Sequence, residues 1–152
     1  MIKGNKPFPF GYAQSTKRRV IGHVPVAASQ AFTDDGGKFV KLDTNDRADI
    51  ADSGDTVVFG WACVGEFTSS ATAGNDKVPV DTSRETQYWI PADAAVTRAM
   101  VGNTCDLIVT AANIQQADVG ENNEAILWID DVDITNQMVL VHIYDKTNVG
   151  VV

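Results

Sequence analysis

Apolar and polar residues alternate in short stretches along this chain, with turn residues between the stretches, and a period of two predicts strands. The sharpest case is residues 137–144, where Val139, Val141 and Ile143 share one face and Met138, Leu140, His142 and Tyr144 the other. Together with the apolar run 125–131 and the polar link 132–136, it predicts a hairpin. Residues 56–64 are apolar on both faces, with Val57, Phe59, Trp61 and Cys63 on one and Val58, Ala62 and Val64 on the other. That pattern is expected of a central strand, and Gly60 and Gly65 point to a bend or a close backbone approach.

Shorter strands are predicted at 19–26, 38–42, 77–80, 87–90 and 105–110. Pro25 confines the first of these to a sheet edge or a bulge, because proline has no N–H to give a second neighbour. Residues 33–37 form a turn, since Asp-Gly and Gly-Gly supply positive φ cheaply. Residues 43–55, with five aspartates, and 112–123 read as polar connections, and 68–75 as a small polar loop. Residues 91–100 fit either a helix opening at Pro91 or a turn followed by a strand at 96–101, and we favour the second. No internal repeat, coiled coil or low-complexity tract stands out. Some eight short strands separated by polar turns predict an all-β fold, a small β-barrel or β-sandwich with an extended N-terminal arm.

Composition sets the scale. The chain has 152 residues, 44% of them hydrophobic, enough for one domain with its own core. No run approaches the ~18 apolar residues of a membrane helix, and no secretory signal is expected from residues 1–14. Two cysteines, 42 residues apart, exclude a disulfide scaffold and disfavour a zinc site.

Charge divides the chain more sharply than composition. Residues 1–33 carry five basic side chains and no acidic one, whereas residues 34–152 carry seven basic and twenty acidic, a net of −13. An acidic body repels phosphate, so neither nucleic acid nor membrane is expected as a partner. The leader interleaves Lys3 and Lys6 with Phe8, Phe10 and Tyr12, and Pro7 and Pro9 keep it from forming a helix or a central strand. The chain therefore divides into an extended basic and aromatic arm (1–19), a β body (20–145) and a short tail (146–152).

Reactive groups are sparse in pattern. Residues 43–49 resemble a calcium loop but have Arg47 at the fifth position and no glycine at the sixth. Asp130, Asp131 and Asp133 are suited to acid–base work or simply flank a hairpin turn. His23 and His142 lie in strand candidates without a motif partner. Cys63 and Cys105 fall in apolar strands, where a thiol is buried and inert. We assign no catalytic, cofactor-binding or metal-binding residue, and expect no enzyme activity and no cofactor.

The order of features resembles the capsid decoration, or cement, proteins of tailed bacteriophages. The resemblance runs through residues 22–42, ending in Phe39-Val40-Lys41-Leu42. It continues through 50–64, where an Ala-Asp-rich turn leads into Val57-Val58-Phe59-Gly60-Trp61-Ala62. It is carried on by Tyr88-Trp89-Ile90-Pro91-Ala92, by 102–107 with Thr104-Cys105-Asp106-Leu107, and by 127–141 with Asp130-Asp131-Val132-Asp133 and Met138-Val139-Leu140-Val141. It implies a virion structural protein made in the host cytoplasm. Such a protein binds the outer capsid surface, usually as a homotrimer, through protein–protein interaction with the major capsid protein. The leader is outside the resembling pattern. Lys3, Lys6, Phe8, Phe10 and Tyr12 are the candidate capsid contacts, and deletion of residues 2–12 is expected to weaken attachment while the body stays folded.

Two other classes compete. A carbohydrate-binding β-module on a phage fibre or spike would stack sugars on Trp61, Trp89 and Trp128. A small trimeric enzyme would gather Asp130, Asp131 or His142 in a pocket between subunits.

Overall fold

The computed structural model describes residues 11–33, 36–110 and 113–145. Period-two alternation with turn residues between yields thirteen short strands and one 3-10 turn. They are β1 (Gly11–Ser15), β2 (Ile21–Pro25), β3 (Ala31–Phe32), β4 (Lys38–Leu42), β5 (Ala48–Ile50), β6 (Gly60–Ala62), β7 (Phe67–Thr68), β8 (Lys77–Asp81), β9 (Thr86–Pro91), the turn Arg98–Met100, β10 (Thr104–Val109), β11 (Gln115–Asp118), β12 (Leu127–Asp133) and β13 (Met138–Ile143). The fold is all-β and sandwich-like. A six-stranded antiparallel sheet runs β1-β9-β13-β12-β10-β11, a five-stranded one runs β2-β8-β6-β4-β5, and β3 pairs with β7 in a small ribbon.

The two sheets repeat one another. Setting β1 aside, β9-β13-β12-β10-β11 has the same connectivity as β2-β8-β6-β4-β5, with each strand of the first half (β2, β4, β5, β6, β8) matched in chain order by one of the second (β9, β10, β11, β12, β13). The match extends to detail. Each opening strand ends on a proline, Pro25 or Pro91, and the next residue makes a parallel bridge to an alanine of the last strand in its sheet, Val26 to Ala48 and Ala92 to Ala117. An Ala-Asp-aliphatic run begins in or spans that last strand in both halves, as Ala48-Asp49-Ile50 and Ala117-Asp118-Val119. The sequence reading found no internal repeat. The structure corrects it, because the duplication survives in strand order and in a few turn and edge residues rather than in the bulk of the side chains.

Two cores follow from this layering. Between the sheets, Phe39, Val58 and Trp61 of the first half pack with Tyr88, Ile90, Leu127, Val139 and Val141 of the second. The Phe39 and Trp61 rings meet edge-on at 4.8 Å, and Trp61 stacks on Tyr88 at 4.6 Å. On the far side of the five-stranded sheet, Val26, Phe32, Val40, Ala62, Val78 and Val80 form a second core beneath the β3–β7 ribbon. The five-stranded sheet is thus apolar on both faces, and β6 is its middle strand as expected.

Buried polar groups tie the layers together. The Gln115 amide, fully buried, accepts from the Phe39 N–H and donates to the Phe39 and Ala51 carbonyls, so one side chain acts as a strand between the sheets. The Asp106 carboxylate accepts the N–H groups of Asn123, Glu124 and Ala125 and fixes the turn before β12. Asp43 accepts from the Asn45 and Arg47 N–H groups and from Arg47 Nε, which accounts for the acidic segment at 43–49 as a hairpin turn.

Several expectations need correction. Residues 43–55 and 112–123, read as connections, contain the edge strands β5 and β11. Residues 96–101 hold the 3-10 turn instead of a strand. In residues 56–64 only Gly60–Ala62 is strand, and the alternation slips just before it: Val58 lies with Trp61 in the inter-sheet core, while Phe59 packs with Ala62 on the other side. The cause is Gly60. A Cβ there would sit 2.5 Å from the Asp81 carbonyl oxygen, so β6 and β8 approach at a point only glycine allows. Arg84 pins the irregular approach by donating to the Val58 and Phe59 carbonyls.

Candidate interaction surface

One end strand of each sheet, β1 of the six-stranded and β2 of the five-stranded, has no strand on its outer edge among the described residues, and residues 16–20 join the two. β1 lies within the stretch that the sequence reading set apart as an arm to residue 19. Its residues pair with β9 of the same chain, Gly11 opposite Trp89 and Gln14 opposite Gln87, with a bulge between Tyr12 and Gln14. Tyr12 is the one candidate contact residue of the leader among the described residues; Lys3, Lys6, Phe8 and Phe10 lie outside them. Tyr12 is 43% exposed, and the neighbouring Val20 and Ile21 are 60% and 47% exposed, so an apolar strip crosses this side.

Beneath the strip Arg19 is held by a polar network. Its Nε lies 2.6 Å from Asp81 Oδ2, its Nη2 lies 3.3 Å from Cys63 Sγ, and its guanidinium sits 3.9 Å from the centre of the Tyr12 ring. Asp81 is fully buried and also accepts from the Thr86 hydroxyl and the Ser83 N–H. Burial alone would raise its pKa, but these three donors, Arg19 first, hold the carboxyl below the usual range. Burial likewise opposes the charge on Arg19, and the Asp81 hydrogen bond and charge together with Cys63 and Tyr88 outweigh it and raise the guanidinium further. Burial raises the Cys63 thiol against the pull of Arg19, and it pushes the Cys105 thiol up to about 12. Both are free thiols: Cys105 is buried in β10 as its apolar strand suggested, whereas Cys63 lies just past β6, partly exposed and against Arg19, and so departs from the expectation of a buried strand thiol. The Tyr88 hydroxyl is buried beside Asp81 without a well-formed hydrogen bond, and burial pushes it far above its ordinary range. Nearer solvent, Glu85 is held below its usual range by the Thr16 hydroxyl and by Lys17.

The sequence singled out Tyr12 but neither Arg19 nor Asp81 as a site. They are 62 residues apart, and nothing local in either marks the other. The exposed pair Val20-Ile21, just ahead of the edge-marking Pro25, is the signal that was there to be read.

The other candidate groups fall elsewhere. His142 Nδ1 lies 2.7 Å from Asp130 Oδ2, in a shallow cleft of about 550 Å³ that Glu85, Gln87 and Tyr144 also line. The structure thus brings His142 and Asp130 together, while Asp131 pairs with Arg98 and Asp133 caps the hairpin turn through Asn136. Asp130 orients the imidazole, but no hydroxyl or thiol is hydrogen-bonded to the other ring nitrogen among the described residues. Beside the dyad, Trp128 lies 6.4 Å from His142 and 5.5 Å from Tyr144 by ring centres, a cluster on the outer face of the six-stranded sheet. Trp61, by contrast, is buried. Among the described residues no three His, Cys, Asp or Glu side chains are grouped to hold a metal ion, and no helix is long and apolar enough to cross a membrane. No family model, curated protein or solved structure matches this chain.

Proposed function

We propose that this chain is a non-catalytic structural protein of a tailed-phage virion, bound to the outer surface of the assembled capsid, where it stabilises the shell by bridging neighbouring capsomers. The observation that carries the reading is the pair of end strands β1 and β2, whose outer edges no strand covers among the described residues and where the exposed Tyr12, Val20 and Ile21 lie close to the ion pair of the part-buried Arg19 with the buried Asp81. A surface built to bind another protein needs apolar area and backbone hydrogen-bonding groups that do not rearrange on contact. The leader joins β1 at Gly11, and its residues Lys3, Lys6, Phe8 and Phe10 are the further contacts that the reading assigns. The strand order that resembles decoration proteins supports the same reading. The partners are the major capsid protein and further copies of this chain, a trimer by the resemblance, and repeated modest contacts on a shell add up by multivalency.

The test is co-sedimentation with empty capsids of the chain and of a variant lacking residues 2–10. The deletion stops at Phe10 because Gly11 and Tyr12 belong to β1 and their loss would damage the sheet. Binding by the full chain, weakened by the deletion with an unchanged melting curve, supports the reading; failure of the full chain to bind any capsid sinks it.

A second reading has an observation of its own. The Trp128, Tyr144 and His142 rings, flanked by Asp130 and Gln87, form the kind of outward aromatic and polar surface on which a neutral sugar stacks. Saturable quenching of tryptophan fluorescence by an oligosaccharide, abolished by Trp128→Ala, would favour the carbohydrate-binding module over the capsid protein.

A further inference from the structure

The outer edge of β2 carries an inference that goes beyond shell attachment and does not depend on it. The hydrogen bonds on either side of β2 fix which way its backbone faces. Val20 accepts from Thr82, and Val26 donates to Asp76, so the even-numbered residues of β2 face β8. The odd-numbered ones, Ile21, His23 and Pro25, turn their polar groups outward, where no strand pairs with them among the described residues. Residues 20–23 are all exposed and uncharged, apart from any proton on His23, and thus lack the lysine or inward charge that usually guards an edge. Near Val26 the sheet curls back to its own β5 through Ala48, so the open length is the N-terminal part of β2.

The second half of the molecule has the same edge, and there it is filled. β9 matches β2, Pro91 matches Pro25, and Trp89 and Gln87 match His23 and Ile21; β1 runs antiparallel along that edge opposite Trp89 and Gln87. The fold therefore takes an antiparallel strand at this position once already.

We infer that two copies of this chain pair antiparallel through their β2 edges, with Gly22 on the two-fold axis. The hydrogen-bonding pattern selects the occupant and the register. Ile21 opposite the partner's His23, taken twice, satisfies all four outward N–H groups and all four outward carbonyls of these residues. Moving the axis to His23 would set Ile21 against the partner's Pro25, which has no N–H to return. At the axis the two Gly22 residues form a non-hydrogen-bonded pair, the closest spacing in an antiparallel ladder, about 4.5 Å between Cα atoms. Gly22 has nothing within 4 Å of where a Cβ would stand, so the approach is open. Val20, exposed in one copy, covers the partner's Val24. The ladder is short, so the pair forms at high protein concentration or where a shell holds the copies close.

The experiment is sedimentation velocity and light scattering of the full chain over a wide concentration range, with no capsid present, so it fails or succeeds independently of capsid binding. The expected result is a mass that doubles as concentration rises, from 16.3 kDa for a lone chain or from three times that for the trimer of the proposed function. His23→Pro removes an outward N–H while leaving the β8 ladder intact, and is expected to weaken pairing about tenfold or more at an unchanged melting temperature. Should that variant misfold, Gly22→Cys decides: its Cα spacing lies within disulfide range, so mild oxidation is expected to give a covalent dimer much faster than with the exposed control Ile134→Cys. A chain that stays monomeric throughout overturns the inference, as would be the case if the leader or another protein were the true occupant. So does a larger oligomer that His23→Pro leaves unchanged, or equal cross-linking of the two cysteine variants.

Discussion

Trp61 and Trp128 hold the same place in the two halves of this molecule and live in different surroundings. Each sits in the middle strand of its repeat, Trp61 between Phe39 and Asp81, Trp128 between Thr104 and His142. The first half turns this outer face onto the second half, so Trp61 is buried and its neighbour is a buried aspartate neutralised by Arg19. The second half turns the same face to solvent, so Trp128 is half-buried and its neighbour is a histidine in an open cleft. One strand order thus gives a buried face in one half and a solvent-facing one in the other. Stacking order decides which is which, since the side that loses water must be apolar or fully paired and the other side is free to diverge.

Breaking the equivalence at its centre has the largest expected effect. Trp61→Ala removes a fully buried ring between the sheets and is expected to cost about 3–5 kcal/mol, whereas Trp128→Ala should cost a third of that or less. Denaturant unfolding of the two variants, read at constant m-value, checks the contrast, and equal losses would undo it. Gln115→Leu comes next. It leaves the Phe39 N–H and the Ala51 carbonyl without the partner that Gln115 gives them, while the Phe39 carbonyl keeps the Ala51 N–H, at about 1–3 kcal/mol for the group, measured the same way.

Asp81→Asn tests the neutralised acid of the first half against His142→Ala in the second. Breaking a buried pair by removing one partner costs about 3–5 kcal/mol in a dry interior; with Arg19 one quarter exposed, about 2 kcal/mol is expected here, and His142→Ala should cost well under 1 kcal/mol. The pH dependence follows from the direction of the Asp81 shift. A carboxyl whose folded pKa lies below its unfolded value of about 3.9 stabilises the native state fully above that pH. The contribution is lost as pH falls through the folded value. Wild-type stability should therefore drop below about pH 4, and Asp81→Asn should flatten that part of the curve. The smallest effect is expected from Lys17→Ala at the exposed Glu85 pair, a shift in the unfolding midpoint close to zero that salt reduces further.

Much of the second half was legible in residue order. Val139, Val141 and Ile143 line the inter-sheet core as their alternation predicts, and Pro25 marks an edge strand as its missing N–H requires. What escaped reading is instructive because it escaped twice at matching places. β5 and β11 are the last strands of the two repeats, and each contributes one small buried alanine, Ala48 or Ala117, to its core. In β5 the alternation is only Ala48-Asp49-Ile50 with Ile50 partly buried, and in β11 Ala117 is the one buried apolar side chain, so both runs are too short and weakly apolar to read.

The sequence by itself determined the local terms of this protein: an all-β chain, the positions of most paired strands, a basic leader ahead of an acidic body, and Cys105 in an apolar strand. These follow from side-chain periodicity and charge count, which act over a few residues. Tertiary structure alone decided that the chain is a doubled set of strands, that Arg19 meets Asp81 across 62 residues, that one tryptophan is core and its counterpart surface, and that β1 fills the outer edge of β9 while no strand pairs with the outer edge of β2 among the described residues. Those outcomes depend on which face of one sheet covers the other, and stacking is set by the summed burial of many distant residues rather than by any run a reader can mark.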